Sequence, residues 1–188
     1  VRIGGIAKGS GMIHPNMATM LGFLTSDAAI SKEMIKMALQ QAVAVTFNMV
    51  SVDGDTSTND MVALMASGAA ENRPITGPGE DYDAFCTALT EICRKLSREL
   101  ARDGEGATKL LVCKVAGAPT FEDAKKAAKA VICSSLVKAA MFGADANWGR
   151  VLCALGYSGA AIDIHTVGVS FASKTGKIEV CRDGAGIP

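Results

Sequence analysis

The segment Lys8–Leu21 contains a candidate nucleophile, Thr19, shortly after a glycine-rich turn. If the chain is cut between Ala18 and Thr19, Thr19 becomes a chain terminus and its hydroxyl lies beside its own free α-amine. Such a residue is a nucleophile and a base in one, which is the pair of groups that acyl transfer requires. This chemistry alone does not distinguish Thr19 from the other threonines of the chain. The residues around it must therefore indicate whether the bond before Thr19 is a cleavage site.

A second group of polar residues follows a short apolar segment, at residues 53–60. Its side-chain oxygens alternate as in a calcium-binding loop, but Thr58 stands where such a loop has glycine and Leu64 where it has a bidentate glutamate. We therefore reject calcium. Two interpretations stay open: a tight turn closed by its own side chains, or a set of polar groups that anchors a site from behind. The alternating residues are Asp53, Asp55, Ser57 and Asn59.

Other residues with chemical potential have plain interpretations. Gly9-Ser10-Gly11 lacks the Gly-Lys-Ser/Thr of a phosphate-binding loop and the third glycine of a dinucleotide fingerprint, so a turn is the simplest prediction. Glu105, between two glycines after a long helix, is by default a solvated loop carboxylate.

The two histidines and the single tryptophan also have structural explanations. His14 precedes a proline in a predicted loop, and His165 lies in a predicted strand, so neither is expected to be a catalytic base. The segment Asn147–Arg150, which holds the tryptophan, predicts a packed turn with an arginine–carboxylate contact, or else a wall beside a substrate.

The composition excludes several classes of function. Lys plus Arg number 19 and Asp plus Glu number 19, so no net field draws in nucleic acid or an anionic membrane. Aromatic residues make up 5%, too few for a platform on which bases stack. No apolar run approaches the ~20 residues that cross a bilayer. We expect neither a nucleic acid nor a membrane as partner.

The six cysteines show no pattern of a metal site. None forms a Cys-x-x-Cys pair, and no secretory signal is visible, so we expect reduced core thiols in a cytoplasmic protein and no metal. The sequence opens at Val1 without an initiator methionine and closes at Pro188 in a loop-like stretch. These ends predict a piece of a longer protein.

Helices and strands alternate without strict regularity, which predicts an α/β fold with layers and a mixed sheet. The predicted helices are a segment capped by Ser31 and running to about Thr46, Glu80–Arg102, a segment from Thr120 to about Val131, and a further piece to about Met141. The predicted strands are residues 1–7, Thr19–Thr25, Met61–Ala66, Lys109–Val115, Ile162–Phe171 and Lys177–Cys181.

Five segments, in order and across the whole chain, resemble the ornithine acetyltransferase family, the bifunctional glutamate N-acetyltransferases of arginine biosynthesis. They are Lys8–Ile13, Pro15–Leu21, Asp53–Asp60, Gly104–Thr108 and Gly143–Arg150. The resemblance implies a layered α/β sandwich of the N-terminal-nucleophile type that cleaves itself between Ala18 and Thr19. Residues 1–18 would then be the C-terminal end of the α-chain region. Residues 19–188 would be a β-chain region that stops before the family's C-terminus.

The resemblance also implies roles for individual residues. Thr19 would be the catalytic nucleophile that carries the acetyl group, and Lys8, Thr19 and Glu105 would bind substrate. The reaction would move the acetyl group of N-acetylornithine to glutamate, releasing ornithine and N-acetylglutamate, without a cofactor; acetyl-CoA is a further donor that the sequence leaves open. The partner would be the complementary α-chain in an α2β2 assembly in the cytoplasm. Upstream oxyanion-hole residues and downstream substrate contacts of the family would lie outside residues 1–188.

Two alternatives accompany this hypothesis. One is a related amidase or aminopeptidase that uses the same nucleophile with water as acceptor. The other is an inactive fragment that keeps the fold without the chemistry. Lys8 and Glu105 favour acetyl transfer over hydrolysis, because they suit an amino-acid acyl donor.

Overall fold

The computed structural model describes residues 1–14 and 20–187. The chain divides into two compact units, residues 1–107 and 108–188, and each is described by itself. No helix within the described residues has the length and apolarity to cross a membrane.

The first unit is built on a three-stranded mixed sheet with β2 in the centre. Strand β1 pairs with β2 antiparallel, placing Lys8 opposite Leu21, and β3 pairs with β2 parallel, placing Leu21 opposite Met61. The predicted strand at Met61–Ala66 is confirmed at both ends. The strands are β1 (Ile3–Lys8), β2 (Leu21–Ser26) and β3 (Met61–Ala66).

Two helices, α1 (Lys32–Ala44) and α2 (Glu80–Arg102), pack together in this unit, with α1 against β3 and α2 against β1. The predicted bounds of α2 are confirmed, and the Ser31 side chain accepts the Met34 N–H as the predicted cap of α1. A 3-10 helix, Phe47–Met49, follows α1 and buries Phe47 fully.

Strand β2 alternates in burial because successive side chains point to opposite faces of the sheet. Gly22, Leu24 and Ser26 are buried, whereas Phe23 and Thr25 are exposed. Leu24 enters the same core as Phe85 and Leu89 of α2. One face of the central strand therefore packs against helix α2. This packing sets the position of the strand's first residue, Leu21, at one end of the sheet.

The second unit combines three helices with an antiparallel sheet ordered β4-β5-β6. Its core contains Val131, Val137, Ala154 and Cys181. A side chain at Gly186 would come within 2.6 Å of the Trp148 ring, so the tryptophan packs directly on the sheet. The elements are α3 (Phe121–Cys133), α4 (Ser135–Phe142), α5 (Trp148–Gly156), a 3-10 helix (Ile164–Thr166), β4 (Val169–Ser173), β5 (Gly176–Arg182) and β6 (Ala185–Gly186).

Several predictions for the second unit are confirmed. Thr120 caps α3 by accepting the Asp123 N–H at 3.1 Å, and its hydroxyl bonds to the Asp123 carboxylate at 2.6 Å. These contacts, with the Ala161 N–H, hold the pKa of Asp123 below its usual value. The predicted strand Lys177–Cys181 lies within β5, and Ser173 pairs with Gly176 across the predicted turn.

Other predictions for this unit are wrong. The predicted strand Lys109–Val115 alternates in burial over residues 111–115, but within the described part of the chain no strand pairs with it, so it forms no ladder. The predicted strand Ile162–Phe171 contains a 3-10 helix with His165 in it, and β4 begins only at Val169.

The segment around the tryptophan also differs from its prediction. It opens helix α5 instead of forming a turn, because the Asn147 side chain accepts the Arg150 N–H and caps it. The Arg150 guanidinium donates to the Leu136 carbonyl rather than to a carboxylate.

Candidate functional site

The candidate site lies in the first unit, at the end of the sheet where β1 stops and β2 starts. Lys8 is the last residue of β1 and Leu21 the first of β2, and the two are paired. The chain therefore leaves the sheet after Lys8 and enters it again at Leu21, at a neighbouring position. Ala18 and Thr19, the predicted cleavage site and nucleophile, lie outside the described residues, but both of their flanks, 9–14 and Met20, are described.

Asp53 holds the upstream flank. Its two carboxylate oxygens accept the N–H groups of Met12 at 2.5 Å and Ile13 at 3.1 Å. Met12 has φ of 54°, a left-handed conformation that residues other than glycine seldom adopt, so its N–H needs a specific partner to stay there. The Asp53 carboxylate also accepts the Asp55 N–H at 3.0 Å, which closes its own turn.

Further contacts attach the same flank to residues 51–56. The Val52 N–H donates to the Ile13 carbonyl at 2.6 Å, and the Thr56 hydroxyl donates to the His14 carbonyl at 3.0 Å. The His14 ring nitrogen Nδ1 lies 3.0 Å from the Ser51 hydroxyl. Ile13 is completely buried. His14 is thus a part of this anchorage.

Asp60 holds the downstream flank. The Met20 N–H donates a hydrogen bond to the Asp60 carboxylate, and the Met61 N–H donates to the Met20 carbonyl at 2.8 Å. Met20 is buried. The two flanks also meet, since a side chain at Gly9 would come within 3.7 Å of the Met20 α-carbon.

Glu105 reaches the same turn from beyond the end of α2. Its N–H donates to the Ser10 carbonyl at 2.9 Å, and a side chain at Gly11 would come within 2.8 Å of its Oε2 atom. Gly104 makes this approach possible, because a side chain there would meet Val52 at 2.8 Å. The Glu105 carboxylate therefore lies against the glycine turn.

The structure brings together two of the predicted substrate-binding residues. Lys8 and Glu105, both exposed, adjoin opposite ends of the turn 9–11, so a cation and a carboxylate border the segment that leads to Thr19. This pair is complementary to an amino acid, which carries a carboxylate and an ammonium group. Within residues 1–14 and 20–187, no three His, Cys, Asp or Glu side chains are placed to hold a metal ion.

Asp53 and Asp60 stand at the two ends of the polar run for which the sequence left two interpretations open. Of the two interpretations left open for residues 53–60, the local turn is present in the Asp53–Asp55 contact. The long-range anchor is present too, in the contacts with Met12, Ile13 and Met20. The density of acidic and hydroxyl side chains in this run is the feature of the sequence that indicates the anchor.

The fold has a close counterpart in a solved structure. The crystal structure of the arginine biosynthesis bifunctional protein ArgJ from Bacillus halodurans is 44% identical to this chain with a TM-score of 0.84, over 90% of this chain and 78% of that one. The predicted fold class is therefore confirmed: the chain has the layered α/β fold of the N-terminal-nucleophile enzymes. The sequence model of the ArgJ family matches residues 1–188, and the chain belongs to that family.

Two curated relatives agree with this assignment. The arginine biosynthesis bifunctional protein ArgJ 1 of Clostridium acetobutylicum is 54% identical over 187 residues, which are 100% of this chain and 46% of that protein. The ArgJ protein of Symbiobacterium thermophilum is 60% identical over 163 residues, which are 87% of this chain and 40% of that protein. The chain thus spans about half the length of the curated relatives that it matches.

Proposed function

We propose that this chain carries the cleavage junction and the nucleophile of an enzyme that transfers the acetyl group of N2-acetylornithine to glutamate. The observation that carries the proposal is the convergence of Lys8 and Glu105 on the turn that leads to Thr19. Membership of the ArgJ family supports it, as do relatives named as bifunctional proteins of arginine biosynthesis. Acetyl-CoA as a second donor for glutamate belongs to the same proposal.

Maturation precedes transfer. The Thr19 hydroxyl attacks the Ala18 carbonyl, and the peptide bond becomes an ester as the Thr19 α-amine is released. Water then hydrolyses that ester, which frees the Ala18 carboxylate and restores the Thr19 hydroxyl.

Transfer follows in two balanced steps. The Thr19 hydroxyl oxygen attacks the acetyl carbonyl, the α-amine accepts the hydroxyl proton, and the proton passes to the leaving amine of ornithine. The α-amino group of glutamate then attacks the acetyl-Thr19 ester, and N-acetylglutamate leaves while the hydroxyl is restored. One amide replaces another, so the chemistry requires no cofactor.

Substrate recognition falls to the two charged residues. We assign the Glu105 carboxylate to the free amino group of the ornithine portion and the Lys8 ammonium to a substrate carboxylate. The partners are the complementary α-chain and a second copy of the pair, in an α2β2 assembly. The six free cysteines suit the reducing cytoplasm, where we place the enzyme.

Mass spectrometry of the protein expressed from its complete reading frame tests the proposal. Wild type is expected to give two fragments that meet at Thr19, and Thr19→Ala a single uncut chain with no acetyl transfer. Thr87→Ala, a threonine on the exposed side of α2, is the matched control and is expected to behave as wild type. Acetyl transfer by Thr19→Ala would refute the nucleophile. Release of acetate instead of N-acetylglutamate would favour the hydrolase.

A further inference from the structure

The run of residues from Asp53 to Asp60 reaches both sides of the Ala18–Thr19 bond. Asp53 binds the N–H groups of Met12 and Ile13 on the upstream side, and Asp60 binds the N–H of Met20 on the downstream side. Residue 14 is the last described position before the bond, and residue 20 is the first described position after it. One short stretch of chain therefore holds both flanks. We propose that Asp60 positions the Thr19 nucleophile and that Asp53 positions the substrate-binding turn. This proposal rests on the proposed function.

Covalent connectivity gives Asp60 its role. The nitrogen that donates to the Asp60 carboxylate is the Met20 nitrogen, which is bonded to the carbonyl carbon of Thr19, so this hydrogen bond holds the amide group that directly follows the nucleophile in the chain. Cleavage breaks the bond on the other side of Thr19 and leaves the Met20 amide intact. Asp60 therefore acts on Thr19 both before and after the cut.

Asp53 binds the other product of the cut. Met12 and Ile13 belong to the upstream fragment, which also carries Lys8 and the glycine turn that Glu105 contacts. After cleavage no peptide bond joins this fragment to Thr19. Side-chain contacts such as that of Asp53, together with the pairing of β1 with β2, then keep Lys8 beside Leu21, two residues after the nucleophile.

Loss of each aspartate should therefore have a different effect on the kinetics. Displacing a nucleophile by about 1 Å lowers the rate of the chemical step by about 100-fold while substrate still binds. Displacing a substrate-binding turn weakens binding, and a lost charge-assisted hydrogen bond corresponds to about 10-fold or more. Loss of Asp60 should lower kcat, and loss of Asp53 should raise KM; both losses should slow self-cleavage.

Steady-state kinetics of the protein from its complete reading frame tests this division, with rates expressed per mature Thr19 terminus counted by mass spectrometry. Asp60→Ala is expected to lower kcat about 100-fold with KM within about twofold. Asp60→Asn keeps an acceptor oxygen for the Met20 N–H and is expected to recover at least tenfold of that loss. Asp53→Ala is expected to raise the KM for N-acetylornithine about tenfold with kcat within about threefold.

Asp55→Asn is the matched control, since Asp55 lies in the same run and only its backbone N–H contacts Asp53. A purely structural role would change kcat and KM together, or would lower kcat only in proportion to the folded fraction and leave KM unchanged, and either result overturns the proposal. Should Asp60→Ala not fold, an Asp60→Asn enzyme with unchanged KM and a kcat within about tenfold of wild type supports the hydrogen bond, and one with raised KM or a larger loss of kcat overturns it. Wild type and Asp55→Asn that neither cleave nor transfer acetyl would refute the proposed function itself.

Discussion

The backbone N–H of Glu105 donates a 2.9 Å hydrogen bond to the Ser10 carbonyl, although the whole of α1, β3 and α2 lies between them in sequence. This bond joins the loop that follows the longest helix to the glycine turn that follows β1. The Glu105 side chain is carried by that loop and lies against Gly11. Its carboxylate is therefore free to serve a ligand while its backbone secures the turn.

Replacing Glu105 by glutamine should weaken substrate binding selectively. The substitution keeps the size of the side chain and the backbone bond to Ser10 but removes the charge that pairs with an amino group. We expect the KM for N-acetylornithine to rise about tenfold or more, with self-cleavage unchanged. Glu91→Gln, on the exposed surface of α2, is the control in the same assay. Wild-type kinetics of Glu105→Gln would remove this residue from the site.

Replacing Gly11 by alanine should displace the Glu105 carboxylate without changing Glu105 itself. The added methyl group would stand 2.8 Å from Oε2, and the flexible end of the glutamate can move away. We expect a KM increase in the same direction as for Glu105→Gln, of about three- to tenfold, with a stable fold.

Gly4→Ala is the control for this substitution, because its nearest neighbour, the Thr25 hydroxyl, would be 4.0 Å away. The double variant of Gly11→Ala and Glu105→Gln supplies the decisive comparison. Since both changes act on one carboxylate, their effects on KM should not add. Additive effects would mean that Gly11 acts by another route.

Leu89→Ala should destabilise the first unit. Leu89 is fully buried on α2, in the core that also receives Leu24 from the central strand. Truncating such a side chain costs about 2–5 kcal/mol of unfolding free energy. Met37→Ala, at an exposed position of α1, is expected to stay within about 0.5 kcal/mol of wild type. Urea unfolding measures both, and equal losses would contradict the core assigned here.

The first unit should lose stability at alkaline pH through Cys93. Burial raises the pKa of this thiol to about 11 from 9.0. The unfolded chain therefore releases the proton first, and the stability from the neutral buried thiol is complete below about pH 9 and declines as pH rises towards 11. A difference of this size corresponds to about 2–3 kcal/mol.

Urea midpoints at pH 7 and at pH 10 to 11 measure this effect. Cys93→Ala should show a smaller fall over that range than wild type, whereas Cys153→Ala, at an exposed position, should fall like wild type. In the same protein iodoacetamide should modify Cys153 readily and Cys93 only after unfolding, because the thiolate is the reactive form. An equal fall in the urea midpoint at alkaline pH in all three proteins would contradict the pKa shift.

The exposure of Cys153 also corrects the expectation that all six cysteines are core thiols.

Much of the secondary structure can be predicted from local sequence patterns. The stripe of apolar residues in Glu80–Arg102 and the caps at Ser31 and Thr120 depend on neighbours within four residues, so they could be predicted closely. Residues 109–115 show the limit of such inference. A segment with alternating apolar residues forms a β-strand only where another strand pairs with it. The sequence predicts a turn in place of helix α5, because Gly149 lies in the first turn of the helix and its capping residue, Asn147, is of a type that also favours turns.

By itself the sequence determined the α/β class, the family resemblance and the candidates Lys8, Thr19 and Glu105, because these depend on residue types in a recognisable order. Only the tertiary structure decided that Lys8 and Glu105 adjoin one turn and that Asp53 and Asp60 hold the two flanks of the Ala18–Thr19 bond. Each of these contacts joins groups about forty or more residues apart, and no local pattern specifies which distant N–H a carboxylate will accept. The packing of β2 between its neighbours and the helices brings them together.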